Sequence, residues 1–553
     1  MGRSTMLLTV TMVAASLVGV APMDAAQAAD PAWVVVDQGP EWTPANRNKF
    51  YSLDQGSQLM PLSWIRALRQ PDGTPFMADG LRRYGFLPND AGPDMLPVGF
   101  TAAGQPGKDM IGMNCAACHT RQLEYAGVAY RIDGGPAFID FQSLMSDLDR
   151  AAGTVLSDAN AFAQFAGAVL GSTRKRGDET ALRRALDDWH YRHHTLMHNA
   201  LPPNPWGPGR LDAIGLIIDR LTGLDIGPQP PYVLPQNIKL ADIPVRYPFL
   251  WNAARQDKTQ WLGFAGNFNV QLALARNLGQ VFGVFADFHP VKGSAPDRIN
   301  YGTHNSASLP GLGELETLMI SIGPPRWPWT IDRALADEGR KVFGQRCIGC
   351  HGAQASDLNP NFWKTPITPI DELKTDRRQL RWLDVTSETG ILEGTEVPAA
   401  PERMINKSER SLDIVTFSVT GTMRDELPPP DPNPSPGPTS NAAPTSKPSP
   451  VIGYEARVLH GIWAAAPYLH NGSVPTLAEL LKPAAQRVPS FKVGSSYDPV
   501  AVGLATEQPQ STFILSTTDC DDPHSGNSRC GHEFGTDLTS AEKQALLEFL
   551  KEL

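Results

Sequence analysis

Charge is scarce in this chain of 553 residues: charged side chains make up 19%, below the usual level of about 25%. The net charge is -10. An acidic balance lacks the basic footprint needed to neutralise phosphates, which excludes a nucleic-acid partner. Beyond residue 30 no apolar run approaches the roughly 20 residues of a membrane span. Gly (49) and Pro (50) together stay below the roughly 25–30% that marks a disordered chain. What remains is a loop-rich, mildly acidic globular protein. Its 41% of hydrophobic residues suffices for the cores of two to four domains. Cysteine is rare too, with six residues, and their placement is the most informative feature.

The N-terminus carries Arg3, an apolar run over residues 6–20, and then Ala25-Ala26-Gln27-Ala28-Ala29. Basic, apolar and small-residue segments in that order read as a secretory signal peptide over residues 1–29. A membrane anchor is the weaker reading, because the run is too short to span. No cysteine stands near the cleavage point to receive a lipid. The mature chain is expected to be periplasmic or secreted.

Four cysteines fall into two copies of one pattern, Cys115-Ala116-Ala117-Cys118-His119 and Cys347-Ile348-Gly349-Cys350-His351. Cys-x-x-Cys-His is the attachment signature of haem c. About one helical turn separates the two thiols, so both reach vinyl groups along one porphyrin edge. The following imidazole then lies beneath the iron as proximal ligand. A thioredoxin-type pair or half a zinc site would not require His at that place, twice, in an exported chain. Two covalently attached haems c are therefore expected, with His119 and His351 as proximal ligands. Cys520 and Cys530 stand in a polar stretch. In an oxidising compartment they read as a disulfide, a structural staple of roughly 2.5–3 kcal/mol outside the chemistry.

Residues 330–345 read as a helix with Gly339 allowing close approach, and Thr539-Ser540-Ala541-Glu542 is a capping box opening a final helix. These two frame the second haem motif as the crossing helices of a cytochrome c do, which places a C-terminal cytochrome c domain at 328–553. Within it, residues 427–451 are crowded with Pro, Ser, Asn and Thr and read as an exposed loop. The first motif follows a Gly-rich approach instead of a helix. Residues 137–156, 161–170 and 179–198 have helical periodicity. Residues 30–327 thus read as an N-terminal haem c domain with a helical insertion. The fold class expected is mainly α: two cytochrome c-like haem domains, the first with a large helical, loop-rich elaboration.

The chemistry turns on the second axial ligands, since a vacant position binds dioxygen or peroxide. His470, in Ala466-Pro467-Tyr468-Leu469-His470-Asn471-Gly472, sits in a rigid turn context and is the leading candidate. His190, His193, His194 and His198 would share a helix as a metal site, a distal ligand or a solvated face. His289 and His304 are further distal candidates.

Residues 461–477 (GIWAAAPYLHNGSVPTL) resemble the di-haem cytochrome c peroxidase-like family, and most of all its branch of RoxA-type rubber oxygenases and di-haem dioxygenases. So do residues 50–61 (FYSLDQGSQLMP), 82–88 (RRYGFLP), 96–101 (LPVGFT), 131–142 (RIDGGPAFIDFQ), 204–212 (NPWGPGRLD) and 276–286 (RNLGQVFGVFA). The resemblance implies that His351 and His470 bind the C-terminal iron on both faces, an electron-transfer centre. It makes the His119 haem the reactive one. Trp261 is the best match for a pocket or electron-relay tryptophan, with Trp251 and Phe264 behind it. The chain is shorter than expected of the rubber oxygenase itself, so polymer cleavage does not transfer.

The implied function is an exported di-haem oxidoreductase activating dioxygen or hydrogen peroxide. An apolar unsaturated substrate would enter in the first case and a small redox protein would dock in the second. A calcium ion is compatible with either. The alternative is a pure electron-transfer cytochrome with both irons six-coordinate; a haem-based gas sensor would need a signalling domain, and none is visible. The large stretch between the two motifs favours an enzyme.

Overall fold

Two helices cross near the C-terminal end of the chain, and a single glycine lets them do so. Arg333–Arg346 begins at Asp332, whose side chain accepts from the Leu335 N–H. Ser540–Leu550 begins in a full capping box of Thr539 and Glu542. A Cβ added to Gly339 would lie 1.9 Å from the Ala545 carbonyl oxygen, so only glycine permits this approach. Phe343 and Phe549 pack at 5.3 Å across the crossing, and Glu552 pairs with both Arg333 and Arg340. These are the helices expected from the sequence.

The computed structural model describes Met1 and residues 33–553, apart from 91, 93–94, 105–107, 229 and 428–450. The leader expected over 1–29 and the Pro-rich loop expected over 427–451 lie, but for their end residues, outside the described residues.

The helical insertion is present as Phe141–Ser157, Ala159–Leu170 and Asp178–Ala200. Asp140 caps the first and Asp158 the second, each accepting backbone N–H groups of the opening turn. Leu144, Leu148, Leu186 and Leu196 face one core with Trp64 and Phe165.

The expectation of a mainly α chain is overturned. Helix accounts for 39% and strand for 16%, spread over many small sheets. Among the described residues there are two three-stranded sheets and eight two-stranded ladders. Thr120–Tyr125 and Val128–Asp133 form an antiparallel hairpin, with Trp33–Val35 added in parallel. Its two-residue turn, Ala126-Gly127, has positive φ at both positions, the mirror-image turn whose twist suits a hairpin. Met110–Met113 pairs with Phe100–Ala103 and Met60–Pro61. Nor do two separate cytochrome c-like units emerge. One continuous core joins Phe50 and Leu315 to Trp463, Val474 and Leu546, so the apolar surfaces around both motifs are buried against each other.

Candidate functional site

The first motif is held by its backbone. The strand Met110–Met113 delivers Asn114, which caps the short helix Cys115–Cys118 by accepting from the Ala116 N–H. Asn114 Nδ2 donates in turn to the Phe50 and Leu53 carbonyls. Gly99, at φ +79°, passes so close that a Cβ would meet the Ala117 nitrogen at 1.9 Å. His119 leaves this turn with Nδ1 2.8 Å from the Pro248 carbonyl oxygen. A carbonyl can only accept, so the proton is on Nδ1 and Nε2 is a bare donor of electrons. Burial holds His119 down at about 4, against the hydrogen bond to Pro248. It pushes the Cys115 and Cys118 thiols up to about 11 and 12. Thiols so disposed are poor thiolate nucleophiles, unlike those of a dithiol redox pair.

The second motif repeats the arrangement from other elements. Cys347 N donates to the Phe343 carbonyl at the end of the Arg333–Arg346 helix, and Ile348–His351 makes the next turn. His351 Nδ1 lies 2.7 Å from the Arg457 carbonyl oxygen, and burial lowers its imidazole as well. Cys347, Cys350, His351 and His470 line one largely apolar cavity.

His470 stands on a loop closed by Tyr468 and Val474, which bridge as an antiparallel pair. Its backbone carbonyl accepts from Arg246 N at 2.9 Å, and its ring stacks on Tyr454 at 4.1 Å. Burial, helped by the Arg246 charge, holds it down at about 3, so it is a neutral imidazole at physiological pH. Cys520 and Cys530 form the expected disulfide, with Cα atoms 5.3 Å apart. The loop it closes is no remote staple. Ser528 within it receives Asn471 Nδ2 and Ser473 Oγ, both from the His470 loop.

Trp261 lines the cavity of His351 and His470. Its Nε1 donates to the Arg246 carbonyl, and its ring centroid is 4.8 and 4.6 Å from the Arg246 and Arg457 guanidinium groups. Arg457 also faces Phe249, the residue after Pro248. Trp251 stacks on Phe249 at 4.9 Å and donates to the His460 carbonyl as a core residue. Phe264 is exposed, at 42%. His289 stacks on Tyr232 beside Asp287, and its backbone N–H donates to the His304 carbonyl.

Two features escaped the sequence. His532 lines the same cavity, 6.1 Å from His351, with Nδ1 buried and unpartnered. Its one signal was position, two residues beyond Cys530. The other is a surplus of buried cationic groups. Arg246 Nη1, Arg457 Nε and both Nε and Nη2 of Arg121 are buried without hydrogen-bond partners; Arg457 Nη2 is 3.0 Å from Glu455, whose carboxyl burial pushes up to about 7. Buried guanidinium groups left so incompletely satisfied call for an anion.

A family profile described as RoxA-like, cytochrome c-like, matches residues 453–492, the stretch carrying Tyr454, Arg457 and His470. The chain is 30% identical to Uncharacterized protein y4iJ of Sinorhizobium fredii over 580 residues, covering 93% of this chain and 92% of that protein. It belongs to the y4iJ family. Uncharacterized protein y4iM of the same organism is 23% identical over 343 residues, 61% of this chain and 66% of its own. This y4iJ relative thus carries a RoxA-like cytochrome c segment, which points to covalently bound haem c and a haem-dependent function. The residues fit that group: paired thiols, an imidazole fixed through Nδ1, an apolar cavity, and unpartnered guanidinium N–H groups matching the carboxylates of a haem. No described helix is long and apolar enough to cross a membrane.

Proposed function

We propose that the protein is an exported oxidoreductase carrying two covalently attached haems c, one on Cys115, Cys118 and His119, the other on Cys347, Cys350 and His351. His470 would also hold the latter group, whose chemistry would be electron transfer, and the His119 side would be where dioxygen or hydrogen peroxide is activated. The observation that carries this is the repeated geometry of the two histidines, each half-buried, held below its usual range and donating Nδ1–H to a backbone carbonyl. That bond fixes the tautomer and ring orientation and raises the basicity of Nε2. Bound haem supplies one-electron chemistry and the point at which an O–O bond is reduced.

The chain's own residues do the rest. Burial keeps His119 and His470 unprotonated well below neutrality, so both stay available as ligands. Arg246 and Arg457 hold positive charge against the cavity wall, and both guanidinium groups contact the Trp261 ring. Trp261 therefore serves as a relay beside the electron-transfer side. Phe249 and Arg457 link the carbonyl that orients His119 to the one that orients His351. The apolar lining excludes water.

Optical and EPR spectra with carbon monoxide or cyanide test the reading. One iron is expected to accept an added ligand and one to stay low-spin. Two inert low-spin irons would instead establish a pure electron carrier. His470→Ala should turn the second haem high-spin and leave the first unchanged; an unaltered spectrum removes the ligand assignment. Oxygen uptake with unsaturated apolar substrates, set against peroxide consumption with a reduced small cytochrome, decides the oxidant and the partner.

A further inference from the structure

Away from the cysteine–histidine sites, one pair of helices brings two imidazoles and a carboxylate together on an open face. Asp149 belongs to Phe141–Ser157, and His190 and His194 lie one turn apart on Asp178–Ala200. His194 Nδ1 is 2.9 Å from Asp149 Oδ2, and His190 Nε2 is 3.3 Å from Asp149 Oδ1. One ligand atom from each lies within 4.8 Å of the others. Asp149 Oδ1 is buried, with His190 as its ion-pair neighbour and no conventional hydrogen-bond partner.

The neighbours set these three apart from an ordinary helix surface. Gly153 is one turn beyond Asp149, and a Cβ there would come within 3.2 Å of His190 Nε2. Glycine thus leaves this nitrogen room on the helix facing it. His193, between the two, turns inward instead, donating from Nε2 to the Met145 carbonyl and stacking on Trp189. His198 stacks on His194 at 5.7 Å but is outside the cluster.

We infer that Asp149, His190 and His194 form a binding site for a late first-row divalent cation, with zinc as the reference ion. Imidazole donors select this class, because calcium and magnesium take oxygen ligands. Zinc–nitrogen bonds of about 2.0–2.1 Å set tetrahedral donors roughly 3.3 Å apart; the imidazole–carboxylate distances of 2.9 and 3.3 Å already approach this, and the two imidazoles would close from within 4.8 Å. The exposed side of His194 leaves a fourth position to water. Occupied, the site clamps the two helices that pack on the first core.

Zinc chloride, titrated by calorimetry into the full-length, haem-loaded protein after chelator washing, tests this. Absorption at the zinc K-edge is unaffected by iron and reads the ligands. One zinc is expected, coordinated by two imidazoles and a carboxylate, and it should raise the melting temperature. His194→Ala and Asp149→Asn, both on the outer face, should each weaken binding by roughly tenfold or more, and His198→Ala should not. No binding at micromolar zinc, or equal affinity in His194→Ala and Asp149→Asn, overturns the inference.

Discussion

Asn471 donates from Nδ2 to the carbonyl of Ser528 at 2.9 Å, which ties the loop bearing His470 to the loop closed by Cys520 and Cys530. Ser473 Oγ reaches the same carbonyl at 2.9 Å. The position of the imidazole therefore depends on a crosslink fifty residues downstream in the chain. Replacing both cysteines by serine should lower stability by about 2.5–3 kcal/mol. It should also broaden the low-spin EPR signal, as His470 samples more orientations. Asn471→Ala, which removes two buried bonds, that to Ser528 and the one its Oδ1 accepts from the Ser473 N–H, should cost about 1–3 kcal/mol and give a milder form of the same spectral change. Denaturant melts and EPR on the three proteins check both.

Gly339 permits the crossing of Arg333–Arg346 over Ser540–Leu550, with the Ala545 carbonyl 1.9 Å from where a Cβ would stand. Gly339→Ala pushes the two helices apart and disturbs Phe343 against Phe549. The expected loss is about 1–3 kcal/mol, read as a lower melting temperature. Gly344, on the same helix, has open space where its Cβ would be. Gly344→Ala should be neutral or slightly stabilising, which makes it the control.

In the proposed reading Trp261, whose ring contacts both the Arg246 and Arg457 guanidinium groups, serves electron relay more than substrate contact. Trp261→Phe keeps an aromatic face for both guanidinium groups and loses the indole. Peroxide- or dioxygen-dependent turnover should fall roughly tenfold, equivalent to about 1.4 kcal/mol of barrier. The resting spectra of both irons should be unchanged. Stopped-flow reduction of the oxidised protein measures the rate, and a rate equal to wild type would assign Trp261 to the core.

Much of this was legible wherever a strong local signal exists. The helix expected at 179–198 is Asp178–Ala200, that at 161–170 is Ala159–Leu170, and the capping box of Thr539 and Glu542 is complete. Periodicity over three turns or more and a cap chemistry announce themselves. The sheets did not, because ladders of two or three residues such as Arg210–Leu211 on Val245–Arg246 are too short for alternation to register. Such pieces, and the core shared by Phe50 and Leu546, are why the mainly α expectation failed. The cysteine motifs and His470 drew notice through spacing and context, and the second motif and His470 do line one cavity. His532 and the unpartnered arginines could not, since what distinguishes them is burial, and burial is decided by tertiary packing.

His193 gives the fold an acid limit that can be dated to one side chain. It is buried, donates to the Met145 carbonyl, and is held down at about 4, chiefly by burial. In the unfolded chain a histidine titrates near 6.5. Between pH 6.5 and pH 4 the unfolded chain therefore binds a proton that the folded one does not. Stability falls as pH drops through that window, by about 3 kcal/mol from this residue, and is flat above it. His193→Gln places an amide nitrogen near the position of Nε2, keeps a donor for Met145, and takes up no proton. Other buried histidines tilt both proteins alike, so the difference between them isolates His193. The urea midpoint of wild type should fall more steeply than that of the variant as pH drops from 7 to 4.5, and parallel pH profiles would show that His193 is protonated in the folded state.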